Sequence, residues 1–322
     1  MKQFVFAIGI LVMGITGASG QQFPNRPITI VVPFAAGGPI DTTTRIVAEK
    51  MKDTLGQPIV IENVGGAAGS LAAARVAKAA PDGYTLITGL WGTHVANGAI
   101  YQLSYDVKDD FAPIGLMSSN PLLIVSSKQL PANTLQELIS WLKQNPDKAS
   151  QGTSGVGSVG HVAGAFFHTK TDTKFRFIPY RGLAPAMQDL VAGNVDLMFD
   201  TPATSLPQVK SGSIRTYAVT SPQRIKAAPD IPTVDEARLA GFYISTWTAL
   251  FAPKGTSGEI VVVLNKAMMN ALADPVVQNR LAEVGQDVYP AEQQTSAFLA
   301  KFQAEEVEKW WPIIKGAGIK AD

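Results

Sequence analysis

The sequence predicts an α/β protein of two lobes, each a doubly wound sheet with flanking helices, with a cleft between the lobes. Apolar strand-like segments alternate with amphipathic helical segments along most of the chain, a pattern that favours parallel strand pairing. The chain has 322 residues, enough for two domains of ordinary size. The last segments are helical and have no further sheet to cover, so we expect them to pack on the first lobe.

The elements of the first lobe follow from local signals. Runs of β-branched and apolar residues predict strands at residues 28–32, 59–61 and 85–88. Asp41 is expected to cap a helix that runs to Leu55 and ends at Gly56. A glycine turn at residues 65–70 then precedes an alanine-rich helix at residues 71–80.

The second lobe begins with a buried strand at residues 122–125, and Thr134 and Glu137 form a capping box for a helix. Further strands are expected at residues 175–178, 195–199 and 214–219, with helices that begin near Ser158 and Ala184. A return strand at residues 248–252 leads to helices at residues 259–272, 275–283 and 292–314. The two crossings assign residues 21–121 plus 248–322 to lobe 1 and residues 122–247 to lobe 2.

The first twenty residues have the pattern of a secretory signal peptide. Lys2 precedes an apolar run at residues 4–15, and the small residues 18–20 stand before Gln21. We therefore expect residues 1–20 to be cleaved. The chain has no cysteine, which excludes lipid attachment at an N-terminal cysteine, so we expect an exported, soluble product without disulfides.

Composition and charge exclude several classes of function. Lys and Arg number 27 against 26 Asp and Glu, and no basic block stands out, so no nucleic-acid partner is expected. Hydrophobic residues make up 46% and charged residues 16%, which is typical of a compact globular protein. The three histidines lack metal-ligand spacing, so we expect no metal site, and no motif calls for a cofactor.

The most informative segment is the glycine-rich turn after the first strand. A strand, a glycine turn and a helix start together present free backbone N–H groups to an anion. The turn has no Lys, Arg, Ser or His, so it would hold an anion mainly with its backbone; a plain turn with glycines for packing is the alternative. Asp41 is expected to brace the loop or to contact a ligand amine or hydroxyl. The candidate binding residues are Phe34, Ala35, Ala36, Gly37, Gly38 and Asp41.

A second glycine-rich turn occupies the equivalent place in the second lobe. It offers hydroxyl groups and exposed N–H groups at a helix start, and its candidate residues are Ser154, Gly155, Val156, Gly157, Ser158 and His161. The spacing G-x-G-x-x-G also occurs here, but the motif lies outside the first βα turn and lacks the acidic residue about 20 positions later. Two such loops across a cleft indicate a shared anion site more strongly than either loop alone.

Other candidate cleft residues follow predicted strands, because ligands of open α/β sheets bind beyond the carboxyl ends of strands. Trp91, Thr93 and His94 follow the third strand, and Asp200 and Thr201 follow a strand of the second lobe. Trp91 could stack on a ligand or serve only in packing.

Hydrolase chemistry has weak support, and no catalytic residue is assigned. Ser154 and Ser158 both lack the G-x-S-x-G frame. Ser158 with His161 is the one nearby nucleophile–base pair, and it has no orienting acid in view. An exported hydrolase on this scaffold therefore remains a lesser alternative.

Several segments in the same order resemble the tripartite tricarboxylate transporter substrate-binding proteins, called Bug proteins. They are PFAAGGPID (33–41), APDGYTL (80–86), SGVGSVGH (154–161), PYRG (179–182), GNVDLMFD (193–200), AVTS (218–221), IPTVDEA (231–237) and FAPKGT (251–256). The resemblance covers nearly all of the chain after residue 20.

The resemblance implies a periplasmic binding protein of the Venus flytrap, type II-like kind, expected to be a monomer. Such a protein binds an organic carboxylate and hands it to one large and one small membrane subunit of a transporter. By this resemblance, the ligand carboxylate is bound by residues 34–38 and 154–158. Asp41, His161 and Asp200 are expected either to brace these loops or to contact the ligand. Signalling to a membrane receptor is an alternative that the sequence leaves open.

One departure from the family pattern bears on the ligand. After Glu62 and Asn63 the family usually has Arg-Pro-Gly-Ala-Gly-Gly, whereas this chain has VGGAAG at residues 64–69. The loss of that arginine favours a mono- or dicarboxylate over a tricarboxylate. The alanine-rich turn suits an apolar body, aromatic ones included.

Overall fold

The computed structural model describes residues 23–320, so the expected signal peptide lies outside the described residues. The strands are β1 (Ile28–Val32), β2 (Ile59–Asn63), β3 (Thr85–Leu90), β4 (Phe111–Pro121), β5 (Leu123–Ser127), β6 (Ser150–Thr153), β7 (Arg176–Pro179), β8 (Leu197–Asp200), β9 (Ile214–Val219), β10 (Ser245–Pro253) and β11 (Asp287–Val288). The α-helices are α1 (Pro39–Leu55), α2 (Ser70–Ala77), α3 (Asn97–Ile100), α4 (Leu135–Gln144), α5 (Val159–Thr171), α6 (Leu183–Ala192), α7 (Pro202–Lys210), α8 (Gly258–Ala273), α9 (Pro275–Glu283) and α10 (Ser296–Gly316). Short 3₁₀ turns lie at Ala67–Gly69 and Ala291–Gln293, and a π-helical turn lies at Gly92–Ala96.

Six strands form the sheet of the first lobe, in the order β11-β4-β10-β3-β1-β2. β1 pairs in parallel with both β2 and β3, as the alternation of strands and helices predicts. β10 instead runs antiparallel between β3 and β4, and β11 runs antiparallel to β4. The sheet is therefore mixed, because β10 is a returning strand and not part of a βαβ unit.

Five strands form the sheet of the second lobe, in the order β7-β6-β8-β5-β9. β6 pairs in parallel with β7 and β8, whereas β5 runs antiparallel to β8 and β9. The carboxyl ends of β6 and β8 therefore lie at the end of the sheet where β5 begins. That end is also where the chain crosses between the lobes.

Helices cover both faces of each sheet. In β1, Ile28 and Ile30 pack with α1, α8 and α9, while Val31 packs on the opposite face with α2 and α10. This alternation is the period of two that a strand imposes on its side chains. The sheet of the second lobe is covered by α4 and α5 on one face and by α6 and α7 on the other. The helices α8 and α9 thus pack on the first sheet, while α10 contacts elements of both lobes.

Thr220 holds the two crossings together. Its hydroxyl oxygen accepts the N–H of Leu122 (2.8 Å) and donates to the carbonyl of Ile244 (2.6 Å). Its own carbonyl accepts the N–H of Ile244 at 3.2 Å. A single buried threonine therefore joins the outgoing and the returning strand.

One large core cluster extends across both lobes. In α10, Trp310 contacts Phe166 of α5 edge-on, with ring centroids 5.3 Å apart.

Within residues 23–320, no single helix is long and apolar enough for a membrane span. Among these residues, the helices Gly258–Ala273 and Pro275–Glu283, bent by 74° relative to each other, are long and apolar enough only when taken together.

Candidate functional site

The first loop, residues 33–38, joins β1 to α1. Gly37 has φ +80°, a left-handed conformation that glycine adopts without strain, and its N–H donates to Oδ2 of Asp41 at 2.8 Å. The N-cap position of α1 belongs to Gly38, so the expectation that Asp41 caps this helix is wrong. Asp41 lies in the first turn and bonds backward to the loop, because the helix begins three residues earlier than expected.

Asp41 braces the first loop through a network of hydrogen bonds to Gly37, Arg45 and Asn63. Its side chain is 4% exposed, and Oδ2 also accepts from Nε of Arg45 at 2.9 Å. Nδ2 of Asn63 donates to Oδ1 of Asp41 and to the carbonyl of Phe34, each at 3.0 Å. The Arg45 hydrogen bond, with those from Gly37 and Asn63, lowers the pKa of Asp41 to about 2 against the opposing effect of burial. Because Arg45 balances the Asp41 charge, the loop can face an anion without a net negative charge behind it.

The first loop retains unpaired backbone donors. The N–H groups of Ala35, Ala36 and Ile40 have no hydrogen-bond partner within the part of the chain that the structure describes. Ala35, Ala36 and Gly37 are exposed, and a Cβ on Gly37 would meet nothing within 4 Å. The loop therefore presents main-chain N–H groups at the start of α1 to open space.

The second loop, residues 154–158, joins β6 to α5 and repeats this design. Gly155 and Gly157 have φ +129° and +75°, and the N–H of Gly157 donates to Nδ1 of His161 at 3.1 Å. The N–H groups of Ser154 and Val156 have no partner among residues 23–320. In both loops a glycine with positive φ donates to a side chain four positions later, in the first turn of the following helix.

His161 acts as an acceptor, so its proton lies on Nε2. Its ring packs edge-on against Phe177 with centroids 4.5 Å apart, and burial lowers the pKa of the imidazole below its usual value. The neutral ring is therefore the form that holds Gly157 near neutral pH.

Ser158 and His161 do not form a nucleophile–base pair. The Ser158 hydroxyl oxygen is the N-cap of α5 and accepts the backbone N–H of His161 at 3.3 Å. The imidazole Nδ1 is occupied by Gly157. Both groups thus serve the local structure of the loop.

Asp200 lies at the carboxyl end of β8 and is fully buried. Its Oδ2 accepts from the Ser205 hydroxyl at 2.6 Å, while Oδ1 is buried with no partner in the described chain. Burial raises the pKa of Asp200 to about 6, opposed by the hydrogen bonds from Ser205 and Thr201. Thr201 occupies the N-cap position of α7, and its hydroxyl lies 3.2 Å from that of Thr204.

The expected cleft residues after β3 lie inside the first lobe. Trp91 is 2% exposed and meets Trp310 edge-on at 5.7 Å, and its Nε1 has no partner in the described residues. Thr93 lies 2.8 Å from Nδ1 of His94, and both are fully buried. His94 stacks on Phe251 at 4.2 Å. These side chains are buried in the interior of the first lobe, and contact of Trp91 or Thr93 with a ligand stays a prediction.

The turn at residues 64–69 adjoins the first loop and is strained. A Cβ on Gly65 would lie 4.0 Å from the backbone nitrogen of Ala35. The next four residues all have positive φ, including Ala67 (+46°) and Ala68 (+52°), which are not glycine. Each such alanine costs about 1–2 kcal/mol. Sequence reasoning marked this turn as altered, but it did not detect the strain.

The second loop also contacts the first lobe. A Cβ on Gly157 would lie 3.0 Å from Cδ1 of Ile100, at the end of α3. The glycine therefore allows the second loop to approach the first lobe closely. In the described residues no group of three or more His, Asp or Glu side chains could hold a metal ion.

Two α/β lobes joined by two crossings, with a glycine loop at a helix start on each, define a periplasmic solute-binding protein. The chain belongs to the tripartite tricarboxylate transporter family receptor (TctC) family, whose sequence model matches residues 43–319. The resemblance and the fold class inferred from the sequence are thereby confirmed.

Relatives of known sequence and structure agree with this assignment. A UPF0065 protein of Agrobacterium vitis is 43% identical over 301 residues, which is 92% of this chain and 86% of the relative. The structure of the periplasmic binding protein BugD is similar with a TM-score of 0.74 and 38% identity, over 93% of this chain and 100% of that one. MatC from Rhodopseudomonas palustris with bound malate has a TM-score of 0.75 and 41% identity, over 91% and 100% of the two chains.

Proposed function

We propose that this protein captures a small organic mono- or dicarboxylate between its first and second loops. The observation that carries the proposal is the matched pair of glycines, Gly37 and Gly157, each tied to a first-turn side chain. The tie fixes each loop in a conformation that leaves neighbouring N–H groups unpaired. Malate bound to MatC supports the same ligand class.

The expected hydrogen-bond energies are large enough for backbone N–H groups to bind a carboxylate. Each hydrogen bond from an N–H group to a carboxylate contributes about 1.5–3 kcal/mol, and a helix N-terminus adds about 0.3–1 kcal/mol. Two unpaired donors in the first loop, the N–H of Ile40 in the first turn of α1 and two donors in the second loop suffice for both oxygens of one carboxylate. A ligand that bridges both loops would shift the lobes toward closure, because it binds the closed form better.

The body of the ligand is set by neighbouring residues. Ala67 and Ala68 are exposed in the turn beside Ala35, and residues 64–69 carry no charged side chain. This surface favours an apolar body, an aromatic one included, over a third carboxylate.

We also propose where the protein acts and to which partner it transfers its ligand. The bound carboxylate passes to one large and one small membrane subunit of a tripartite transporter. The mature protein acts as a periplasmic monomer after removal of residues 1–20, with lobe 1 formed by residues 21–121 and 248–322 and lobe 2 by residues 122–247.

Calorimetric titration of the mature protein with malate, succinate, benzoate and citrate tests the binding step. We expect a mono- or dicarboxylate to bind, and citrate to bind more weakly. Failure of every carboxylate to bind the folded protein would remove the proposal.

Gly37→Ala and Gly212→Ala form a matched pair for the same experiment. Both glycines have positive φ (+80° and +73°) and open space at Cβ, so both substitutions carry the same backbone strain. Gly212 precedes β9, whose first residue pairs with Ser127 at the far end of the second lobe. Only Gly37→Ala should weaken carboxylate binding; equal affinities in the two variants would place the ligand elsewhere.

A further inference from the structure

A cavity of about 410 Å³ lies beside the crossings. Its walls come from the ends of β4 and β11, from the segments at residues 220–226 and 243–245, and from α10. Thr220 and Ile244 of the crossing contact face it directly. The cavity has the size of a small-molecule site, which is typically 300–1,000 Å³.

This cavity is separate from the two loops. In the first sheet β3 lies between β10, whose Ser245 lines the cavity, and β1, which carries the first loop. At about 4.8 Å per strand, β1 is roughly 10 Å across the sheet from the nearest strand that lines the cavity. No residue of either loop lines the cavity.

Four charged side chains line the cavity without pairing among themselves. They are Lys226, Asp287, Glu306 and Lys309, and no ion pair within 4 Å joins any two of them in the described chain. The fifth, Arg224, is already bound to Glu236 at 2.9 Å. Two acids and two lysines thus remain for a ligand.

Glu306 and Lys309 are each held in place by hydrogen bonds to neighbouring groups, and each keeps atoms that can form a further hydrogen bond. Oε2 of Glu306 accepts the indole N–H groups of Trp247 (3.2 Å) and Trp310 (3.1 Å), which leaves Oε1. Nζ of Lys309 donates to the carbonyl of Tyr243 at 2.7 Å and lies 4.3 Å from the ring centroid of Trp310, which leaves one N–H group for a further acceptor. Burial raises the pKa of Glu306 and lowers the pKa of Lys309, so a partner of opposite charge would relieve a desolvation cost at each group.

The remaining wall is largely aromatic. The rings of Tyr243, Tyr289 and Phe302 line the cavity, and Tyr289 and Phe302 meet edge-on at 6.2 Å. Such rings pack against an apolar body and exclude water from nearby charges.

We propose that this cavity is a second ligand site, for a small zwitterion with an ammonium group, a carboxylate group and an apolar body. Glu306 and Asp287 face the ammonium group, Lys226 and Lys309 face the carboxylate group, and the rings enclose the body. With a zwitterion, every one of the four charged wall groups faces a ligand group of opposite charge. A simple amine or a simple carboxylate would leave two of the wall groups without such a partner.

Three matched compounds test the ligand class by calorimetry on the mature protein: L-phenylalanine, 3-phenylpropanoate and 2-phenylethylamine. L-leucine with its corresponding acid and amine repeats the comparison for an aliphatic body. We expect the amino acids to bind, and to bind at least about tenfold more tightly at this site than the compounds that lack one charge. Failure of both amino acids to bind would overturn the proposal.

Glu306→Gln and Glu305→Gln locate the site. The glutamine at 306 can still accept both indole N–H groups, but it lacks the charge; Glu305 is exposed and pairs with Lys301. Only Glu306→Gln should reduce amino-acid affinity, again by about tenfold or more. Loss of amino-acid binding in Gly37→Ala with retention in Glu306→Gln would assign the amino acid to the loops and overturn the second site. We expect Glu306→Gln to bind the carboxylate of the first site as tightly as the unmodified protein does. The effect of this substitution on amino-acid binding then does not depend on the first site.

Discussion

The N–H of Gly157 donates to Nδ1 of His161 across 3.1 Å, and the N–H of Gly37 donates to Asp41 across 2.8 Å in the other lobe. The spacing is four residues in both cases, although the acceptors are chemically different. An imidazole and a carboxylate therefore perform one task, the fixing of a left-handed glycine ahead of a helix.

His161→Ala should weaken carboxylate binding by about tenfold, because the freed Gly157 N–H no longer holds the second loop in one conformation. Stability should fall by about 1 kcal/mol. His168→Ala is the matched control, since its Nε2 accepts the N–H of Phe175 at 3.1 Å at the other end of α5. Calorimetric titration of both variants checks this; an equal loss of affinity in His168→Ala would contradict it.

Asp200→Asn should stabilise the protein above about pH 6. Burial raises the pKa of Asp200 from 3.8 to about 6, so the folded state binds the proton more tightly than the unfolded state. Its contribution to stability is present below about pH 4 and is lost as the pH rises to about 6. In Asp200→Asn the amide oxygen can still accept the hydrogen bond from the Ser205 hydroxyl, but the side chain does not ionise. The substitution therefore removes the loss of unfolding free energy at higher pH, which is about 3 kcal/mol at most.

Urea unfolding at about pH 5 and about pH 8 measures the Asp200 effect. Asp230→Asn, at an exposed position, is the control and should leave the profile unchanged. A stability loss in Asp200→Asn at the higher pH would show that the ionised carboxylate is needed by the fold.

His94→Gln should flatten the acid side of the stability profile. Burial lowers the pKa of His94 from 6.5 to about 3, so the folded state holds the neutral ring. The His94 contribution is fully present above about pH 6.5 and is lost as the pH falls toward about 3. The shift corresponds to roughly 4–5 kcal/mol across that window. The variant should be less stable at neutral pH, and an unchanged acid slope in urea unfolding would refute the assignment.

Ala68→Gly should raise stability by up to about 1 kcal/mol. Ala68 has φ +52°, and relief of its left-handed strain exceeds the extra entropy of glycine in the unfolded chain. Ala74→Gly, inside α2, is the opposite control and should destabilise by about 1 kcal/mol. Thermal unfolding compares the two; a lower melting temperature for Ala68→Gly would contradict the strain argument.

Most elements were predictable because their signals are local. Residues 28–32, 214–219 and 275–283 have the predicted type and bounds in the structure. The strands β4, β6 and β11 and the helices α3 and α7 were not predicted. β4 contains Pro113, Gly115 and Pro121, which disfavour a strand, and it is stabilised by pairing with β10 along its whole length. α7 tolerates Pro202 because proline is favoured in the first turn, but Pro207 inside it masked the pattern.

The candidate site was predictable to the level of its loops, and its internal bonds were not. The glycine spacing identified residues 34–38 and 154–158. It did not reveal that Asn63, 22 positions from Asp41 in the sequence, completes the brace. The burial of Trp91 against Trp310 likewise depends on α10, more than 200 residues later in the chain.

The sequence alone determined the alternation of strands and helices, the two glycine turns and the family, because each is carried by residues close together in the chain. Only the tertiary structure decided which loop N–H groups are already used and that unpaired charges surround a cavity at the crossings. Asp287 reaches that cavity by pairing with Ser119, 168 positions earlier, and Glu306 by bonding Trp247, 59 positions earlier. Contacts of such separation arise from packing, and no local pattern encodes them.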